Sequence, residues 1–226
     1  MRLAPAFIAA LPREVRGLVK GWTRRSNAGG VVVYSNGEAV VACAGMGAAR
    51  AALAVHAAID TMPVTDLLSV GLAGACDPKM RVGEIVRAGV VVDARTGERF
   101  DNSQFRQVLV STDAIASVRE KARLHASYYA DAVDMEAAAV ARLARANGLG
   151  FHAIKAISDD AEFELEELGR FADEEGYFRE GAFALHVVLR PKLWGKAIAL
   201  GRNSSRAVNA LTEALRGELD WYRKDR

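Results

Sequence analysis

Phe151-His152-Ala153-Ile154-Lys155-Ala156-Ile157-Ser158-Asp159-Asp160 is an apolar run that ends in acid. The part from Phe151 to Ile157 suits a core strand buried on both faces, which places Ser158 and Asp159 at its carboxyl end. Just upstream, Val133-Asp134-Met135-Glu136-Ala137-Ala138-Ala139 opens a helix that runs to about Asn147 and stops at Gly148. A third acid stands near the start of the chain. Ala6 to Leu11 reads as another buried strand, and Pro12 takes the first position of a helix, where proline is tolerated. Val15, Leu18, Val19 and Trp22 follow at helical spacing, so Glu14 falls in the first turn, where the helix dipole favours a carboxylate.

The stretches between repeat the pattern. Gly30 to Tyr34 and Ala39 to Ala44 flank Asn36-Gly37, a two-residue hairpin signal. Gly45-Met46-Gly47 then leads into a helix over 48–60, with glycines that suit close packing or the approach of a ligand. Leu67 to Val70 is a strand, and Gly71-Leu72-Ala73-Gly74-Ala75 leaves room above its end. A longer strand starts at Gly83 and continues through Val92. Asp93 to Phe105 reads as a polar connection, either a mobile loop near the site or a subunit contact, Gln107 to Ser111 as a strand, and Thr112 to Leu124 as a helix with Asp113 in its first turn. Arg142 and Arg145 are expected to face solvent. The acidic stretch 162–175 suits a loop and short helix closing over a cleft, or a solvated face, and 180–189 suits a helix.

Short apolar strands alternating with helices predict an α/β fold: three αβα layers around a mixed central β-sheet, in one domain over 1–226. In such sheets ligands bind beyond the carboxyl ends of the strands. Glu14, Gly71 to Ala75 and Asp159 all fall at such ends, and their coincidence is the first functional signal.

Composition excludes more than it specifies. The 226 residues are 51% hydrophobic and 26% charged, an ordinary globular balance. A net charge of +2 gives no footprint for nucleic acid. Cys43 and Cys76 stand in apolar contexts and read as buried thiols in a reducing compartment. No secretory pattern and no membrane-length apolar run is visible, so the expected location is cytoplasmic.

The motifs resemble those of the nucleoside phosphorylase and nucleosidase superfamily. The matching pieces are Ile8-Ala9-Ala10-Leu11-Pro12-Arg13-Glu14-Val15, Gly45-Met46-Gly47, Val70-Gly71-Leu72-Ala73-Gly74, Val110-Ser111-Thr112-Asp113-Ala114, Val133-Asp134-Met135-Glu136-Ala137 and Ala156-Ile157-Ser158-Asp159, in the family's order. The resemblance implies cleavage of a purine N-glycosidic bond by a homo-oligomer without metal or organic cofactor. It implies that Asp159, beside Ser158, protonates the departing base at N7, since that bond breaks readily only if the base sheds its negative charge. Glu136 would hold the ribose hydroxyls and favour a cationic sugar, with Met135 under the ribose. Ile115 and Ala116 would contact the base, Leu72, Ala73 and Gly74 would line the site, and Glu14 would activate water.

Three departures bear on the substrates. Leu72 replaces a serine usual in nucleosidases, and Ser69 stands where hexameric phosphorylases place a phosphate-binding arginine. A phosphate dianion needs guanidinium or clustered N–H donors, and Arg13, Arg50, Arg95 and Arg99 keep phosphate open as a co-substrate beside water. Ile115 replaces a phenylalanine usual in methylthioadenosine nucleosidases, which makes the pocket more aliphatic.

The tail over 190–226 is expected to be helical. It mixes Lys192, Lys196, Arg202 and Arg206 with Trp194, Ile198, Leu200, Val208 and Leu211, which suits packing on its own domain or a twin subunit, or contact with a membrane surface. With its Arg190-Pro191, Trp194 and Arg202-Asn203-Ser204-Ser205, the tail is similar to that of hopanoid-associated phosphorylases, which release adenine from an adenosyl triterpenoid. Phosphorolysis of small soluble nucleosides and a non-catalytic nucleoside-binding paralogue are the alternative readings.

Overall fold

A strand without polar residues must be covered on both faces, and β1 (Ala4–Ala9) is buried throughout. The computed structural model describes residues 4–26, 29–102, 104–163 and 194–224, with the backbone alone for 194–198. β1 pairs in parallel with β4 (Val40–Cys43) on one side and β5 (Val64–Ala75) on the other. β3 (Val32–Ser35) and β2 (Thr23–Ser26) extend the sheet antiparallel beyond β4. On the other side β10 (Gly150–Asp159) runs parallel to β5. β6 (Ile85–Asp93), β8 (Gln107–Ser111) and β9 (Ala132–Asp134) then lead from β10 back to β5, so this half of the sheet closes on itself. The result is one mixed sheet.

Strand alternation divides the core into layers. Phe7, Ala9, Val41, Leu68 and Val70 face Leu18, Val19 and the C-terminal helix α5 (Trp194–Lys224), which contributes Ala207, Leu211, Leu215 and Leu219. Ala6, Ile8, Val40, Ala42 and Leu67 face the other way. They meet α2 (Ala48–Thr61) through Ala51, Ala54, Val55 and Ala58, and α4 (Ala137–Ala146) through Val140 and Ala144. Alanines on both helices allow this close approach. From Ala207 onward α5 therefore spends its apolar face on its own sheet, while Trp221 stays half exposed. No helix among the described residues is long and apolar enough to cross a membrane.

Several elements differ from the sequence expectation. The first helix, α1 (Pro12–Val15), stops after one turn, although Val15, Leu18 and Val19 are buried as the spacing implied. Gly17 lies against α5, where an added Cβ would meet Thr212 Cγ2 at 2.6 Å, and Gly21 turns the chain out with φ +83°. β5 runs on through Gly71 to Ala75, beyond the strand end expected at Val70. Pairing of Gly74 with Asp159 on one side and Val133 on the other holds it in the sheet. β2 and β9 were not foreseen, since one is wholly exposed and the other only three residues long.

The connection after Asp93 is not a loop throughout. β7 (Arg99–Asp101) folds back on β6. Arg142 joins Asp93 at 2.6 Å and Glu98 at 2.8 Å, and Arg145 also pairs with Glu98. Both guanidinium groups lie over the Phe100 ring. Arg142 thus clamps the hairpin to α4 and is only partly exposed, while Arg145 adds a contact and faces solvent as expected. The expected helix over 112–124 is α3 (Val118–Tyr128), because Ser117 caps it by accepting the Glu120 N–H at 3.2 Å. Asp113 lies outside it and pairs at the surface with Arg95. Both cysteines are buried free thiols. The cleft-closing segment over 162–175, beyond Phe163, and the helix over 180–189 lie outside the described residues.

Candidate active site

The parallel strands β1, β5 and β10 end at one place, and each delivers an acid or a gap. β1 runs into α1 and Glu14. β5 carries the small residues 71–75. β10 ends in Ser158 and Asp159, and β9 supplies the turn with Asp134, Met135 and Glu136. Their side chains surround one pocket of about 170 Å³. Glu14, Glu136 and Asp159 all line it, with Met135 and Ser158. Leu72, Ala73, Gly74, Ile115 and Ala116 complete the set expected from sequence. Of the arginines considered for phosphate, Arg13 lines this pocket. Arg50 bonds instead to the Ala44 and Gly29 carbonyls, and Arg95 and Arg99 pair with surface aspartates.

Glu14 is both a helix-terminus residue and a pocket residue. Its Oε2 accepts the Leu11 N–H at 2.9 Å, closing the first turn of α1. Its Oε1 accepts a long bond, 3.4 Å, from Leu72 N–H. Gly71 allows this: its φ is +141°, and an added Cβ would stand 3.2 Å from Glu14 Oε2. Burial raises the Glu14 pKa, opposed by the Leu11 bond and the nearby Lys155.

The N-terminus of α4 explains why Glu136 is available. The Ala137 N–H donates to Asp134 Oδ2 at 2.9 Å, and the Ala138 N–H to Ser111 Oγ at 3.0 Å. Ser111 in turn donates to Asp134 Oδ1 at 2.6 Å. Asp134 and Ser111 thus do the capping, and the Glu136 side chain makes no capping bond to α4. It reaches across to accept the Gly47 N–H at 2.6 Å, which gives Gly45-Met46-Gly47 a definite task. Burial first, then the Asp134 charge, push the Glu136 pKa up to about 7, against Lys155 and the Gly47 bond.

Asp159 is 2% exposed. Its Oδ1 accepts the Ser158 hydroxyl at 2.6 Å, and its Oδ2 meets Lys121 Nζ at 2.5 Å. Burial raises its pKa, and the Lys121 charge opposes that rise. Gly74 makes the space: an added Cβ would stand 2.9 Å from Asp159 Oδ2 and 3.1 Å from Lys121 Cε. Gly74→Ala is accordingly expected to displace Asp159 and cut turnover on the order of 10²-fold with a smaller change in melting temperature. Steady-state rates and thermal unfolding of the same preparation check this.

Two buried lysines were not singled out from sequence. Lys155 lies 1% exposed on β10 and pairs with Asp134 at 2.8 Å. Burial alone favours its neutral amine, but Asp134, Glu136 and Glu14 outweigh this and hold the ammonium. A lysine inside an apolar strand was a visible signal, since such a residue is almost never buried without an acid. Lys121 gave no such signal, because α3 is largely polar around it.

The arrangement puts three carboxyl groups on one pocket, able to donate or accept a proton, with Lys121 beside one of them. Comparison with known proteins agrees with the fold. The family model described as "Phosphorylase superfamily" matches residues 6–117 and 96–179. Aminodeoxyfutalosine nucleosidase of Campylobacter jejuni is 24% identical over 205 residues, covering 72% of this chain and 90% of that protein. Among solved structures, futalosine hydrolase of Helicobacter pylori superposes with a TM-score of 0.71 at 17% identity, over 96% of this chain and 97% of that one. The 5'-methylthioadenosine nucleosidase of Arabidopsis thaliana gives 0.73 at 16% identity, over 98% and 96%.

Proposed function

Because the chain belongs to the phosphorylase superfamily, we propose that it hydrolyses the N-glycosidic bond of an adenine-type purine nucleoside. The observation that carries this reading is the convergence of Glu14, Glu136 and Asp159, far apart in sequence, on one pocket. A non-catalytic nucleoside-binding paralogue has no need of that convergence.

In this reading Asp159 gives its proton to N7 of the base while Ser158 orients the carboxyl. Glu136 accepts the ribose hydroxyls and offsets the positive charge that grows on the sugar. Met135 supports the ribose. Ile115 and Ala116, with Leu72, Ala73 and Gly74, contact the base and exclude water from it. Glu14 takes a proton from the water that adds at the anomeric carbon. These groups supply the acid, the base and the charge stabilisation, so no cofactor is assigned.

Water is favoured over phosphate on electrostatic grounds. A phosphate dianion would enter beside Glu14 and Glu136, with Lys155 engaged by Asp134 and Lys121 by Asp159, and with Arg13 as the guanidinium that lines the pocket. Adenine release should therefore not depend on added phosphate. Glu14→Gln is expected to lower it on the order of 10²–10⁴-fold. The decisive experiment is a panel of 5'-methylthioadenosine, aminodeoxyfutalosine, adenosylhopane and adenosine, assayed for free base with and without phosphate. Release that requires phosphate identifies a phosphorylase instead.

The group on the ribose 5' carbon is the finer part of the proposal. Leu11, Leu72, Ile115 and Met46 give the pocket an aliphatic lining, which suits an apolar substituent such as the adenosyl triterpenoid. Failure to release adenine from adenosylhopane, with release from 5'-methylthioadenosine, removes that choice and leaves the nucleosidase reading standing. The proposal includes a homo-oligomer, for which the exposed Leu53 and Tyr129 offer apolar surface. It also includes a cytoplasmic location, which suits the two buried thiols.

A further inference from the structure

Lys121 is a buried charged group that the proposed reaction leaves without a task. It is 1% exposed, and its ammonium has three acceptors: Asp159 Oδ2 at 2.5 Å, the Asp160 carbonyl at 2.9 Å and the Phe163 carbonyl at 3.2 Å. Three protons meet three acceptors, so the ammonium is fully satisfied. A buried ion pair is a poor device for stability alone, because apolar residues of the same size often serve as well. Here the pair lies in the wall of the pocket, and Gly74 keeps the space it needs.

We infer that Lys121 is a positioning residue for glycosidic cleavage: its ammonium aims the Asp159 carboxyl at the departing base and stabilises the carboxylate left when the proton has gone. This rests on the assignment of Asp159 as the acid. The bond between the anomeric carbon and N9 breaks, and its electron pair goes to the base. The Asp159 proton goes to N7, and the new carboxylate remains paired with Lys121, which keeps all three of its protons. Water adds at the anomeric carbon and gives a proton to Glu14. Solvent then resets both carboxyl groups. The other titratable groups acting at this end are Cys76 beyond β5, Asp160, Glu120 at the start of α3, and Asp131 before β9. The three carboxyl groups carry the negative charge that Lys121 opposes, while burial pushes the Cys76 thiol up to about 12 and keeps it neutral.

The test is a carboxyl ¹³C titration of the full chain with labelled aspartate, the Asp159 resonance being the one that disappears in Asp159→Asn. Lys121→Met is expected to raise its midpoint by roughly 1–3 pH units. Lys121→Gln removes the charge but keeps two N–H donors for the three acceptors, and it is expected to do the same if Lys121→Met does not fold. Lys121→Arg should restore the wild-type midpoint. A midpoint unchanged in the folded Met or Gln variant overturns the inference. The proposed function fails separately: full turnover by Asp159→Asn on the nucleoside panel would remove the acid assignment, whatever the titration shows.

Discussion

Asp159→Asn is expected to lower base release on the order of 10²–10⁴-fold, with the chain still folded. The substitution removes the one thing the proposed step takes from this residue, a transferable proton, and keeps nearly everything else. Asparagine has the same shape, and its amide oxygen can still accept from Lys121. The Asp160 and Phe163 carbonyls continue to hold that ammonium. The cost in stability comes from a buried positive charge whose counter-charge has gone, so the melting temperature should fall while the transition stays cooperative. Paired measurement of turnover and thermal unfolding separates the two effects. A well-folded variant that releases adenine at the wild-type rate would show that the leaving base gets its proton elsewhere.

Loss of leaving-group assistance should also depend on the leaving group. A nucleoside whose base departs readily without a proton needs Asp159 less. The asparagine variant should therefore lose least on substrates with electron-poor bases. Unfolding or displacement of the site would lower all substrates alike, and so would give a different pattern across the same panel.

The acids were legible because their signals are local. A carboxylate just past an apolar run reads as a strand-end residue in any sequence, and Glu14 and Asp159 both have that context. Glu136 was legible as a helix-start acid, but its freedom was not. Only the structure shows that Asp134 and Ser111, from two different strands, do the capping of α4. The closed half of the sheet was hidden for a similar reason. It depends on β9, whose register carries Asp134 beside Ser111, and three residues give no periodicity to read. The early stop of α1 was hidden because helical spacing and burial agree there, and Val15, Leu18 and Val19 are buried whether or not the helix continues. Lys121 is the extreme case. Its helix looks solvated, and only the fold turns that one position inward onto β10.

Lys155→Met is expected to be the most destabilising single change at the site. Lys155 is fully buried, pairs with Asp134 at 2.8 Å, and lies close enough to Glu136 and Glu14 to lower the pKa of both. Methionine fills a similar volume, so the loss is one of charge. Breaking a buried pair from one side costs about 3–5 kcal/mol, which for a chain of this length lowers the melting temperature by roughly 6–20 °C. The deficit should depend on pH with a definite sign. Glu136, with a pKa near 7, and Glu14, raised by burial, bind protons more tightly folded than unfolded. Each such group contributes stability below its unfolded pKa, and that contribution is lost as pH rises through the folded value. Without Lys155 both folded values move higher still, so the variant's carboxyls are neutral at low pH and repel one another at high pH. The gap in melting temperature between wild type and Lys155→Met should accordingly be wide at about pH 8 and narrow towards about pH 5. An equal gap at both would mean that methionine fails by shape, and that the three carboxylates do not share the lysine's charge.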